Sequence, residues 1–172
     1  YLPDSYLKLG LINYNQKNDD AALRYYKTVV ERFPKTTSSQ EALSFIEIIY
    51  TNLGTPQKWI EYAKNQGESV TVTRQDSAIY ENAMRIYKSD NFEGASNELA
   101  NYIKRFGNDG YFVIPANFYK AECDFYTDKE NQALSHYAYV VDQGRNEFTE
   151  KSLIKLSSTY FYRKNYTKAL EN

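Results

Sequence analysis

The chain has 172 residues, 42% of them apolar, enough for about one domain with a buried core and too many for a disordered segment. Its 21 basic and 22 acidic side chains leave a net charge of −1, which speaks against a broad nucleic-acid face. A single cysteine, Cys123, and a single histidine, His136, exclude an internal disulfide and a multi-thiolate or two-histidine metal site, and no run of 18 apolar residues is present to span a membrane.

Taken in chain order, the first helical face begins with Tyr6, Leu9, Gly10 and Tyr14 and runs into the polar turn Lys17-Asn18-Asp19-Asp20. A second face follows, with Ala22, Tyr26, Val29, Val30 and Phe33 at the offsets of one side of an α-helix. The next stretch holds Glu47, then the turn Leu53-Gly54-Thr55-Pro56, then Trp59. Residues 69–75 favour a strand by propensity, but an isolated strand has no partner, so they are expected to form a connector. Ile79, Ala83, Ile86 and Tyr87 open the third face, which leads through Asp90-Asn91-Phe92-Glu93 to Ala95, Leu99, Tyr102, Ile103 and Phe106. A fourth copy pairs Ala121 with Ala133, Tyr137, Val140 and Val141 across Lys129-Glu130-Asn131-Gln132. The fifth sets Leu153, Leu156, Tyr160 and Phe161 before Lys164-Asn165-Tyr166-Thr167 and Ala169-Leu170.

The chain therefore repeats. Alanines at 22, 95, 133 and 169 mark successive copies, with one more hidden near Trp59, and each unit reads helix A, short turn, helix B over 36 to 38 residues. Asp and Asn in the turns, Asp19 and Asp20 among them, are expected to cap the B helices. The fold class predicted is all-α, a right-handed solenoid of stacked antiparallel helix pairs, with nine helices and the first turn of a tenth. The whole of 1–172 reads as a single array, with repeats at 3–36, 40–73, 76–109, 114–147 and a truncated one at 150–172. The chain opens on Tyr1 rather than methionine and stops after Ala169-Leu170. It is expected to be part of a longer or processed protein whose array continues, or whose last face is covered.

These residues resemble the tetratricopeptide repeat family. Leu9-Gly10, Ala22, Tyr26 and Pro34 match the first unit, Ala83, Ala95 and Leu99 the third, Ala121, Ala133 and Tyr137 the fourth, and Ser157, Tyr160 and Ala169 the fifth. The second unit departs, since Trp59 and Glu47 stand where small residues belong. The aromatic and proline positions are similar to those of cell-envelope members of the family, among them a cell-division coordinator and a lipoprotein of the outer-membrane β-barrel assembly machine. That likeness implies a periplasmic or outer-membrane setting, with a cytoplasmic one as the alternative.

The resemblance implies that the A helices line a concave surface carrying Tyr14, Tyr80, Tyr87, Phe118, Tyr126 and Tyr162, a face suited to a protein or peptide partner because tyrosine combines area with a polar tip. Aromatic residues at helical spacing serve equally as packing, and Tyr87, Phe118, Phe125 and Phe161 lean that way. A glycan ligand, stacked on tyrosine rings, and a purely spacing role are the alternatives. Neither Cys123 nor His136 has an inferable catalytic partner, so no enzyme, cofactor, metal or nucleic-acid function is expected.

Overall fold

The computed structural model describes residues 1–171; Asn172, the last residue of the fifth expected repeat, lies outside them. Among the described residues there is no strand, and ten α-helices follow one another: α1 Leu2–Asn15, α2 Asp19–Arg32, α3 Thr37–Asn52, α4 Pro56–Asn65, α5 Val72–Tyr87, α6 Phe92–Phe106, α7 Val113–Tyr126, α8 Glu130–Asp142, α9 Thr149–Tyr162 and α10 Tyr166–Glu171. None of these helices is long and apolar enough to cross a membrane. The fold is all-α, built of helix pairs joined by tight turns, and it divides into two compact units, 1–78 and from Ile79 onward.

Each A-to-B turn carries one residue with positive φ: Lys17, Gly54, Asp90, Asp128 and Lys164. That left-handed residue stops one helix and lets the next begin two residues later. Helix starts are capped from the side chain where the sequence allows. Asn18 accepts from the Ala21 N–H and Asn91 from that of Gly94. Asp19 and Asp20 do not cap α2 as expected; they occupy its first turn, where the helix dipole favours a negative charge. The strand-prone stretch 69–75 is a connector only as far as Thr71, whose hydroxyl accepts from the Arg74 N–H and so starts α5 at Val72.

In the first unit α1 packs on α2, α2 on α3 and α3 on α4. Gly10 lets α1 close onto the fully buried ring of Tyr26, which stacks on Phe45 with centroids 4.9 Å apart. Trp59 and Glu47, the departures in the second repeat, are absorbed locally. Trp59 is buried, and Arg74 lies over its ring at 4.9 Å while donating two hydrogen bonds to the Glu47 carboxylate. A cation thus neutralises the acid standing in a small residue's place and covers the indole.

In the second unit a core of Phe118, Ala121, Ala133, Leu134, Tyr137, Val140, Phe148 and Leu156 joins α7, α8 and α9. Ala121 and Ala133 are wholly buried, as close approach of the two helices requires. The six-residue helix α10 packs against α9.

Candidate functional site

The six residues expected to bind a partner fall into different surroundings. Tyr14, in the first unit, is half-buried with its ring 5.9 Å from that of Phe45. The rest belong to the second unit. Tyr80 is half-buried, stacked on Phe112 at 4.4 Å, and burial pushes its phenol above the ordinary tyrosine range. Phe118 is a correction. It is buried, with its ring 4.7 Å from Phe148 and 6.1 Å from Tyr137, because the next helix pair claims that position for stacking; it has no face to offer a ligand. Tyr162 is almost fully solvated at the end of α9.

Tyr87 and Tyr126 do come together. Phe92, the first residue of α6, stacks on Tyr126 at 4.5 Å and meets Tyr87 edge-on at 5.7 Å. Tyr87 is half-buried, and burial, reinforced by the Glu122 carboxylate, pushes its phenol up to about 12. Tyr126 and Phe125 are exposed. Lys155 of α9 lies 4.7 Å over the Phe125 ring and 3.7 Å from Glu122, which also accepts the Tyr137 hydroxyl. The result is a patch of three clustered rings beside a fourth, with one carboxylate and one ammonium held within it. Such a patch has apolar area, hydroxyl tips and paired charge, which suits recognition rather than bond-making. Phe92 and Lys155 were not among the expected residues. By sequence Phe92 falls in the turn Asp90–Glu93, outside the helical faces, although it opens α6, and Lys155 lies on α9, not on the helix of the ring it covers.

The same helix α7 also carries a buried polar cluster with α6. The Lys120 ammonium donates to both Asp124 oxygens at 2.7 and 2.8 Å and to Ser96 Oγ at 3.1 Å, while the Ser96 hydroxyl donates to Asp124 at 2.7 Å. All three residues are buried. Nearby, Asn117 Nδ2 donates to the Val113 carbonyl, which leaves Oδ1 to accept from His136 Nδ1 at 2.7 Å. Cys123 is also buried, and burial, then the Asp124 charge, pushes its thiol up to about 12, far from a nucleophile's range.

Burial, with Lys120 adding to it, holds the His136 imidazole below its ordinary value of 6.5. The unfolded chain therefore takes up the proton first as pH falls. The stabilisation is complete above 6.5 and is lost on acidification towards the lower folded value. Urea midpoints measured from pH 7.5 down to 5 are expected to decline more steeply for the native chain than for His136→Gln, whose amide keeps the bond to Asn117. Parallel profiles would assign the acid loss to other groups.

With this geometry in place, the comparisons bear on class. Residues 4–36 match the family model described as tetratricopeptide repeat, and α1 and α2 are the two helices of that unit. Comparison with curated proteins gives no match. Among solved structures, the chain is similar to that titled "Crystal structure of MamA protein", at 18% identity over 98% of this chain and 86% of that one, with a TM-score of 0.48.

Proposed function

We propose that the chain is a non-catalytic scaffold that holds a segment of a partner protein, and that the patch around Tyr87, Phe92, Phe125 and Tyr126 is the contact surface of the second unit. The observation that carries this reading is the exposure of Phe125 and Tyr126 beside rings fixed by packing. Exposed aromatic anchors on a rigid base make good hot spots, because little side-chain entropy remains to be lost on binding. The tetratricopeptide repeat at 4–36 supports the same class, since repeats of this family bind proteins or peptides. The five helix pairs are read here as copies of one such unit, and a bacterial cell-envelope setting is part of the proposal.

The test is affinity capture from lysate with the native chain and with Phe125→Ala/Tyr126→Ala side by side. Both side chains are exposed, at 38% and 56%, so the variant is expected to keep its fold, checked by its melting curve, while losing its specific partner, about 30-fold in affinity for a lost hot spot. Equal retention by a folded variant would move the contact surface elsewhere. A glycan array run on the same two proteins separates the peptide reading from stacking of sugars on the same rings.

A further inference from the structure

Glu122 stands among the rings of the patch, and its two oxygens are used unequally. Oε1 accepts from the Tyr137 hydroxyl. The Lys155 ammonium approaches the same oxygen at 3.7 Å, an ion pair too long for a hydrogen bond. Among the described residues, Oε2 accepts no hydrogen bond, yet it is not one of the buried atoms left without a partner, so it keeps contact with solvent. The side chain as a whole is only 13% exposed. Burial first and Glu122 next push the phenols of Tyr87 and Tyr137 upward, so this carboxylate acts on both. An acid largely withdrawn from water, with one oxygen open and aromatic faces around it, is a receptor for a cation.

The chain itself places a cation there. Lys155 reaches over from α9 and rests its ammonium 4.7 Å above the Phe125 ring. Its hold is loose, since it makes no hydrogen bond to the acid. The first unit holds a completed form of the same chemistry. Arg74 lies 4.9 Å over the Trp59 ring and donates from Nε and Nη2 to the two oxygens of Glu47. A planar guanidinium can stack on a ring and grip a carboxylate in one pose, whereas an ammonium offers a point charge. The patch has the ring and the acid, and a distant ammonium in place of the fork.

We propose that the patch recognises an arginine side chain of the partner segment, whose guanidinium takes the place of the Lys155 ammonium over Phe125 and donates to Glu122, with Oε2 as the open acceptor. This rests on the reading that the patch is the contact surface, and adds the charge and shape of the partner's anchor. Lys155 is then a competitor that the arginine displaces, and Glu122 the group that selects it.

Panning a phage library of random peptides on the native chain tests this, with the enriched peptides synthesised and titrated by fluorescence anisotropy. Peptides whose binding is lost with Phe125→Ala/Tyr126→Ala are expected to share an arginine. Changing that arginine to alanine, or Glu122 to glutamine, is expected to weaken binding about tenfold or more. The Glu122→Gln amide oxygen still accepts from Tyr137, so the variant is expected to fold, checked by circular dichroism. Lys155→Met keeps an apolar stem over the ring and removes the competing charge, and is expected to tighten binding about two- to fivefold. The arginine inference is overturned, with the contact surface intact, by any of three results: patch-dependent peptides that carry no arginine, equal binding to Glu122→Gln, or weaker binding to Lys155→Met. If no enriched peptide depends on Phe125 and Tyr126, the contact surface and the arginine fall together.

Discussion

Asp124→Ala is expected to remove about 3–5 kcal/mol of stability, the cost of stranding a buried charge. The residue is fully buried and accepts three hydrogen bonds, two from Lys120 and one from Ser96. Without it the Lys120 ammonium, itself buried on the same helix, keeps only the Ser96 hydroxyl at 3.1 Å. Neither group can turn to water, because α6 and α7 close over them. The pair as a whole is a different matter. Replacing both residues, as Lys120→Met/Asp124→Leu, removes the desolvation penalty together with the attraction and is expected to cost under about 2 kcal/mol or to stabilise. Urea unfolding of the two variants checks this. An Asp124→Ala protein within about 1 kcal/mol of the native chain would show that water reaches the lysine. The cluster matters for the function proposed above because it fixes α7, the helix that presents Phe125 and Tyr126.

The Lys120–Asp124 pair also shows where reading the sequence runs short. An i, i+4 lysine and aspartate on a helix look like an ordinary solvated ion pair. What buries them is the packing of α7 on the preceding helix α6, which turns that face onto Ser96, and this contact spans 24 residues of chain. The helix pairs were legible because most rest on local signals: the buried alanines Ala22, Ala95 and Ala133 at the B helices, and short polar turns, two of which supply the asparagine caps Asn18 and Asn91. Trp59 and Glu47 read as damage to the second repeat, and their repair by Arg74 came from a segment whose strand propensity disguised the start of α5. The candidate site divides in the same way. Tyr126 is solvated and Phe118 buried on one helix, since α7 turns one side to the next pair and the other to solvent. Helical spacing marks both as apolar positions without telling which side the neighbour takes.

Gly10→Val is expected to cost about 3 kcal/mol or more, and Gly10→Ala about 1–2 kcal/mol, although alanine is the better helix former by about 1 kcal/mol. A Cβ at Gly10 would stand 2.5 Å from Tyr26 Cε1 and 2.8 Å from Cδ1. The ring cannot step aside. It is fully buried and lies flat against Phe45, with 2° between the planes. Relief therefore has to come from moving α1 off α2, which opens the packing of the whole repeat at 4–36. Valine adds two methyl groups at the tightest point and brings the stiff χ1 of a β-branched side chain. The helix pair α5–α6 supplies the compensating change, since Ala83 and Leu99 stand at the matching offsets from its left-handed turn residue and both are fully buried. Gly10→Ala combined with Tyr26→Leu is expected to recover part of the loss, giving a coupling of about 1 kcal/mol or more in a double-mutant cycle. If the two changes simply add, the clash with the ring is not what makes glycine necessary at position 10.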